Sequence, residues 1–348
     1  MWRSACAVYA AVKSTVGLSH TVCRTPARGL SLRPLAVALA QPEVRPRRGL
    51  TTHALSSPAT SGVGLSVAEP LHELGLELEL VQCLSDNYCP ILHHSASGTT
   101  ILMDTPQAGP IAHALRRKNW QPTHILNTHH HNDHVGGNTK LKKEFPDVQI
   151  IGPHRREHSY PPGVPSQADV VPLADRLVGD GEEVKCGPFS ARVMLVPGHT
   201  ASHIAYFFPS EVPFALVGDC LFTLGCGRVF TGDFGWMQSS MEKLRGLPDE
   251  TIVFCAHEYT ASNLDFALQV EPENDALQAR AEAIRALRAE PKQAPTVPTL
   301  LQHEKATNPF LRWDASAVQQ SVHLPGGSSK AVFEAVRRWK DTGRRPQP

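Results

Sequence analysis

Residues 128–137 read THHHNDHVGG, and this run decides how the whole sequence is interpreted. Five of the seven residues from Thr128 to His134 carry an imidazole or carboxylate that can bind a metal ion. The run directly follows His124–Asn127, which has the short apolar pattern of a β-strand. A turn at a strand end can direct alternate side chains into one cavity, and these side chains suit zinc, iron and manganese. The run therefore predicts a metal site at the edge of a sheet.

Three more residues of the same chemical type stand at the ends of later strand-like runs. They are His199, Asp219 and His257, in the phrases VPGH, VGD and CAHEY. The spacings along the chain, counted from His134, are 65, then 20, then 38 residues. Because a sheet brings its loops to a common edge, we expect these three side chains to join the histidine run in one site.

The pattern around these residues predicts many short strands and a few helices. Predicted strands are 74–80, 100–103, 124–127, 148–151, 192–196, 204–208, 214–217 and 251–255. Predicted helices are 138–145, 261–270, 275–290 and 329–342. Sheets covered by helices give an α/β (α+β) fold class. We expect a mainly β catalytic domain at 74–260 and a helical C-terminal domain at 261–348.

The composition excludes several classes of protein. The chain has 348 residues, of which 41% are hydrophobic and 19% are charged, which is too mixed for a disulfide mini-protein or a disordered tail. No run approaches the roughly 18 apolar residues of a membrane span. The net charge of +1 lacks the strong excess of basic residues that is typical of nucleic-acid-binding proteins. Six cysteines lie beyond residue 68 without a CxxC pair, which predicts unpaired, buried thiols. We expect neither a nucleic-acid nor a membrane partner.

The first 68 residues differ from the rest in charge. They hold eight basic residues and one acidic residue, whereas 69–348 hold 26 basic and 32 acidic residues. A basic, acid-poor leader before an acidic body is typical of an organelle transit peptide, and a disordered tail is the alternative. The segment Arg47–Thr52 resembles a matrix-processing junction, which favours the mitochondrial matrix over a plastid.

The ordered set HxHxDH, GH, GD and HEY resembles the metallo-β-lactamase superfamily, and longer phrases resemble its hydroxyacylglutathione hydrolase (glyoxalase II) family. These phrases are SDNY at 85–88, THHHNDHVGG at 128–137, GHTASH at 198–203, GDCLF at 218–222, GCGR at 225–228, HEYT at 257–260, VEPEN at 270–274, TVP at 296–298 and NPFLR at 308–312. The resemblance covers about residues 76–342. It implies a four-layer αββα sandwich.

The resemblance also implies two divalent metal ions, zinc foremost, with iron or manganese as alternatives. The first ion would be bound by His129, His131 and His199, and the second by Asp133, His134 and His257, with Asp219 bridging them. A shared water near neutral pH would then attack a thioester as hydroxide, and Asp133 would orient it as the catalytic residue. The thiolate leaves without an obligatory general acid, since thiols have a pKa of about 8.5.

The substrate implied by the resemblance is S-D-lactoylglutathione, which would give glutathione and D-lactate. The positions implied to bind the glutathione moiety are Arg228, Phe230 (through its backbone), Tyr259, Arg337 and Lys340. Arg337 and Lys340 are three residues apart and so share a helix face, where both can meet carboxylates. We expect a monomer that binds this small molecule.

Three departures from the family pattern accompany the resemblance. Asn132 stands where relatives commonly carry Trp, and Cys220 stands where Thr or Ala is common. Thr231 and the segment 233–236 differ from the usual acidic segment, which leaves the acyl or thiol preference open.

Other functions remain as alternatives. The chief one is a mono-iron glutathione persulfide dioxygenase, against which the complete second set of ligands and the long helical C-terminus both count. A metal-stabilised regulatory or binding protein is the alternative outside the enzymes. A β-lactamase and a tRNA-processing nuclease are disfavoured, the nuclease because residues 69–348 are net acidic.

Overall fold

Two six-stranded sheets form the centre of the computed structural model, which describes residues 63–154, 170–289, 291 and 293–347. The strands are β1 Leu76–Cys83, β2 Asn87–His94, β3 Thr99–Met103, β4 His124–Leu126, β5 Gln149–Pro153, β6 Arg176–Val178, β7 Glu183–Cys186, β8 Phe189–Leu195, β9 Ile204–Phe208, β10 Phe214–Gly218, β11 Leu221–Phe222, β12 Gly225–Cys226, β13 Ile252–Cys255 and β14 Thr299–Leu300. The α-helices are α1 Ala108–Lys118, α2 Asn132–Val135, α3 Asn138–Glu144, α4 Phe234–Arg245, α5 Thr260–Val270, α6 Asp275–Arg288, α7 Leu301–Thr307, α8 Ser316–Ser321 and α9 Ser329–Thr342, and 3₁₀ helices span Leu65–Leu74 and Pro309–Leu311.

Each sheet mixes antiparallel and parallel pairing. The first has the order β1-β2-β3-β4-β5-β6, with its first two pairs antiparallel and the next three parallel. The second has the order β14-β13-β10-β9-β8-β7, in which β10 and β13 are the parallel pair. A separate hairpin pairs β11 with β12. Parallel neighbours end at the same edge, so the chain leaves both sheets towards a common site.

Alternating side chains divide the core into layers. In β9, Tyr206 and Phe208 point into the cluster between the two sheets, whereas Phe207 joins the cluster on the outer face. Helices α1 and α3 cover the outer face of the first sheet, and α4 and α9 cover that of the second. The period of two along buried strands therefore produces the predicted αββα sandwich, which is confirmed.

Several elements match their predicted bounds. Strand β9 and helix α9 have the bounds predicted for them, and the other predicted strands and helices each overlap an observed element. The sequence did not predict β2, β6, β7, β11, β12, β14, α1, α2, α4, α7, α8 or the 3₁₀ helices. The six cysteines beyond residue 68 are free and buried, as predicted. None of the described helices combines the length and apolar character that crossing a bilayer demands.

The folded body extends further towards the N-terminus than predicted. Val63 bridges to Thr299, and Val67 and Ala68 are buried in the cluster between the sheets. The boundary predicted at residue 68 is corrected to no later than residue 63, because these apolar side chains pack against the core. The remainder of the predicted leader, residues 1–62, lies outside the described residues.

A buried ion pair connects the C-terminal helices to the β11–β12 hairpin. The Arg280 guanidinium donates to Glu304, and both side chains are almost fully buried. Glu304 also accepts hydrogen bonds from the backbone N–H of Leu224 at 2.8 Å and from Asn308 Nδ2 at 3.0 Å. Leu224 lies in the turn of the hairpin, so one carboxylate holds the hairpin against α6 and α7.

We expect Glu304→Ala to lower the free energy of unfolding by about 3–5 kcal/mol, because it leaves the Arg280 charge buried without its partner. Urea unfolding measures this loss. The control is Glu144→Ala, which removes the partner of Arg116 from an exposed ion pair and should cost less than about 1 kcal/mol. Equal losses in the two variants would contradict the role given to Glu304.

Candidate metal centre

The seven predicted metal-binding residues come together at one edge of the two sheets. Four of them follow β4, which places the histidine run and helix α2 beneath the site. His199 follows β8, Asp219 directly follows β10, and His257 follows β13. Gly218 makes the turn into Asp219 with a φ of 52°, and a Cβ there would lie 2.4 Å from Thr128 Oγ1. Glycine is therefore required for the close approach.

The first group of ligand atoms consists of three imidazole nitrogens. Nε2 of His129 lies 3.0 Å from Nδ1 of His131, and Nε2 of His199 lies 3.0 Å from the same Nδ1. His129 is fully buried, whereas His131 also lines the cavity above the site. These three residues form a candidate metal-binding group.

The second group combines a carboxylate with two imidazoles. Nε2 of His257 lies 3.4 Å from Nε2 of His134 and 3.4 Å from Oδ2 of Asp133. Nε2 of His134 lies 3.5 Å from the same Asp133 oxygen. Asp133 lies beside the cavity, with 41% of its side chain exposed.

Asp219 lies between the two groups and presents one oxygen to each. Its Oδ2 is 3.3 Å from His199 Nε2, and its Oδ1 is 3.4 Å from His134 Nε2 and 3.3 Å from His257 Nε2. The side chain is buried, and Oδ1 has no hydrogen-bond donor among the described residues. A buried carboxylate oxygen without a donor indicates that a cation belongs beside it.

The spacing of the ligand atoms fits metal ions. Ligands about 2.0–2.1 Å from a tetrahedral ion lie about 3.3 Å from one another, and the gaps between neighbouring ligand atoms here are 3.0–3.5 Å. Imidazole and carboxylate suit several divalent cations. The cluster is therefore compatible with a dinuclear divalent metal site.

Hydrogen bonds on the far side of three of the rings fix which nitrogen faces the site. Nδ1 of His134 lies 2.8 Å from Asp104 Oδ2, and Nδ1 of His257 lies 2.8 Å from Asp86 Oδ1. Nδ1 of His199 lies 3.0 Å from the carbonyl oxygen of Arg228. Because these oxygens accept a hydrogen bond from the Nδ1–H of each ring, the Nε2 lone pairs are directed at the site.

The backbone of Asp219 is also held from behind. Its N–H donates to Nε2 of His203 at 3.1 Å, and His203 is fully buried and stacked on His129 with ring centroids 4.7 Å apart. Asn87 Nδ2 donates to the backbone oxygen of Asp133 at 3.1 Å and to its Oδ2 at 3.3 Å. These contacts limit the movement of the two carboxylate ligands.

Sequence reasoning did not select the residues that hold the ligands. Asp86, Asn87 and His203 lie in phrases that carried the family resemblance, but no role was assigned to them. Asp104 directly follows β3, just as the predicted metal-binding residues follow their own strands. That signal could have identified Asp104.

The environment sets the charge of the imidazoles. Burial lowers the pKa of His131 to about 4, with the nearby His199 adding to the effect. Burial also lowers the pKa of His199 and, more strongly, that of His129. Burial opposes protonation of His134, but Asp219 and Asp104 outweigh it and hold its pKa well above the usual value. The first group is therefore neutral near pH 7, whereas a proton competes with a metal ion for the second group.

A cavity of about 480 Å³ opens directly above the ligands. All five predicted substrate-binding residues line it, namely Arg228, Phe230, Tyr259, Arg337 and Lys340. The Phe230 ring stands 5.2 Å from the ring of His199, and the Tyr259 ring is stacked on His257 at 4.6 Å. The cavity therefore joins the metal-binding cluster to a wall of cationic and aromatic side chains.

The three cations in that wall differ in exposure. The Arg228 side chain is 63% exposed, whereas that of Arg337 is 7% exposed and donates to the carbonyl oxygen of Cys226 at 3.0 Å. Lys340 Nζ donates to the carbonyl oxygen of Ser262 at 2.7 Å. Arg337 and Lys340 share a face of α9, as predicted from their spacing.

Comparison with known proteins identifies the family. Residues 96–257 match the metallo-beta-lactamase superfamily, and residues 258–343 match the hydroxyacylglutathione hydrolase C-terminus. The hydroxyacylglutathione hydrolase of Rhodopseudomonas palustris is 45% identical over 268 residues, which cover 77% of this chain and 99% of the relative. The chain belongs to the hydroxyacylglutathione hydrolase family. The predicted family and the predicted class of enzyme are thus confirmed.

Further similarities agree with this family. The hydroxyacylglutathione hydrolase of Methylococcus capsulatus is 44% identical over 269 residues, which cover 77% of this chain and 99% of the relative. A metallo-beta-lactamase structure from Staphylococcus aureus subsp. aureus COL has a TM-score of 0.50 and 16% identity, and the match covers 74% of this chain and 71% of that chain. The similarity to the Staphylococcus aureus structure concerns the fold alone, and it supports the metallo-β-lactamase fold of this hydroxyacylglutathione hydrolase family member.

We expect Asp104→Asn to weaken metal binding about 10- to 100-fold, because the amide no longer holds His134 with a charged acceptor. Metal release to a chelator, followed by elemental analysis, measures the change. The control is Asp314→Asn, which alters an exposed ion pair with Arg245 and should leave metal release unchanged. Unchanged metal retention in Asp104→Asn would show that this carboxylate does not support the site.

Proposed function

We propose that the protein hydrolyses S-D-lactoylglutathione to glutathione and D-lactate at this site. One observation carries the proposal, which is that a cavity lined by three cations opens onto a cluster of seven candidate ligands, with three on each side of Asp219. The cations suit the carboxylates of a glutathione moiety, and the ligands suit the reacting thioester.

The residues fit two divalent ions, and zinc is the ion that we propose, with iron or manganese as alternatives. His129, His131 and His199 would hold one ion, Asp133, His134 and His257 would hold the other, and Asp219 would bridge them. When bound there, such ions lower the pKa of water and polarise a carbonyl.

Asp133 is the residue that we propose to orient the attacking water. Its Oδ2 faces His134 and His257, and Asn87 fixes the same oxygen by a hydrogen bond of 3.3 Å. Neighbouring His134 and His257 hold the pKa of Asp133 well below its usual range. An ionised, exposed carboxylate beside the cavity can accept a hydrogen bond from water and aim its lone pair at the thioester carbon.

We call Arg228, Arg337 and Lys340 the cation wall of the cavity. The cation wall would anchor the part of the substrate that does not react. Arg337 is fixed by its buried hydrogen bond to Cys226, and Arg228 is exposed at the same cavity. The departing thiolate needs no acid, since its conjugate thiol has a pKa of about 8.5. The carbonyl carbon gains the water oxygen and loses sulphur, and the proton released by the water passes to solvent.

We propose that the protein acts as a monomer in the mitochondrial matrix after removal of a leader, with a plastid as the alternative. The acid-poor composition of residues 1–62 and the junction at Arg47–Thr52 support this location. Fractionation of cells that express the full chain, with N-terminal sequencing of the retained protein, tests it. Recovery of the intact N-terminus in the cytosol would contradict it.

The full chain loaded with metal should release glutathione from S-D-lactoylglutathione with about two metal ions bound per chain. Removal of the metal by a chelator should abolish release, and addition of zinc should restore it. Elemental analysis on the same sample gives the stoichiometry. One iron per chain with oxygen uptake on glutathione persulfide, and without thioester cleavage, would instead indicate the mono-iron dioxygenase.

Asp133→Asn should lower kcat about 100-fold or more while the fold is retained, because the amide cannot hold and orient the water as the carboxylate does. Steady-state kinetics and circular dichroism measure both properties. Asp314→Asn serves again as the control and should keep wild-type kcat. Full activity of Asp133→Asn would exclude the orienting role. If no preparation, wild type included, cleaves the thioester while the protein still binds glutathione, the result would favour a regulatory protein.

A further inference from the structure

The cation wall of the cavity has a carboxylate of its own. Oδ1 of Asp341 accepts a hydrogen bond from Arg337 Nη2 at 2.8 Å and lies 3.6 Å from Arg228 Nε. One oxygen atom therefore serves two guanidinium groups that come from different parts of the chain. Arg337 belongs to α9, and Arg228 follows the β11–β12 hairpin.

Asp341 is placed to act through these guanidinium groups. Among the described residues, Arg228, Arg337 and Lys340 line the cavity, but Asp341 does not. Its side chain is 24% exposed, compared with 7% for Arg337. A ligand in the cavity would thus meet the cations, and the carboxylate would influence the ligand through them.

The position of Asp341 in its helix is unfavourable unless the ion pairs compensate for it. It lies in the last turn of α9, where the negative end of the helix dipole repels a carboxylate. The positive charges of Arg337 and Arg228 beside Asp341 compensate for this repulsion. Burial lowers the pKa of Lys340 to about 8, and the charge of Arg337 contributes.

We propose that Asp341 is a positioning residue that sets the net positive charge of the cavity and thereby limits its affinity for the anionic glutathione moiety. This inference rests on the proposed function. When Asp341 is charged, its carboxylate offsets one of the three positive charges of the cation wall. The carboxylates of glutathione are therefore attracted to the cavity less strongly. Glutathione is also the product, and weaker binding lets it leave.

Two substitutions separate charge from geometry. Asp341→Asn retains an oxygen that can accept from Arg337 but removes the charge, so glutathione should bind about fivefold more tightly. Asp341→Glu retains the charge and should bind glutathione as the wild type does. The control is Glu334→Gln, which removes an equal charge from the same helix, where the partner of Glu334 is the exposed Arg338. It should leave the affinity for glutathione unchanged.

The measurement is titration calorimetry of glutathione on the full, metal-loaded chain, with KM and kcat for S-D-lactoylglutathione on the same samples. We expect the Kd and the KM of Asp341→Asn to fall together, kcat not to rise, and the difference from wild type to shrink at high salt. Thermal unfolding checks that all the variants are folded.

The possible outcomes can be told apart. Wild-type protein that binds and cleaves, with weaker or unchanged binding in Asp341→Asn, overturns this inference and leaves the proposed function intact. Weaker binding in both Asp341→Asn and Asp341→Glu assigns a purely structural role and also overturns it. Wild-type protein that neither binds glutathione nor cleaves the thioester overturns both proposals.

Discussion

A buried carboxylate between two groups of imidazoles is the constraint on which the rest of the structure depends. Asp219 is removed from water, and its charge must be offset by cations on both sides. The residues placed to hold those cations are His199 on one side and His134 and His257 on the other. These residues are far apart in the sequence, so the site exists only when both sheets are formed and aligned. The αββα sandwich is the frame that meets this requirement.

The two ends of the cavity come from different parts of the fold. Strand ends place the metal-binding cluster, whose backbone is fixed by the sheets and by contacts such as that between Asp219 and His203. The cation wall comes from α9 and from the loop after the β11–β12 hairpin, which Glu304 holds in place. A thioester that is anionic at one end and reactive at the other is therefore oriented by the separation of these two regions.

The sequence predicted which seven side chains come together at the site, because each one follows a strand whose apolar pattern is plain, as in the run before His199. It predicted the family from phrases that specify chemistry as well as packing. It did not predict β2, in which Pro90 interrupts the pattern although the strand is buried. It could not predict that Arg337 would be buried or that Asp341 would pair with it and with Arg228, because these facts depend on tertiary contacts between distant elements.

The burial of the cysteines has a consequence for the chemistry of thiol–disulfide exchange. Cys226 lines the cavity in which we propose that glutathione is released, but burial raises the pKa of its thiol to about 11. Burial also raises the pKa of Cys220 well above its usual value. Because the thiolate is the species that exchanges with disulfides, these residues react slowly with oxidised glutathione. We therefore expect Cys226 to resist formation of a mixed disulfide with oxidised glutathione, although it lines the cavity.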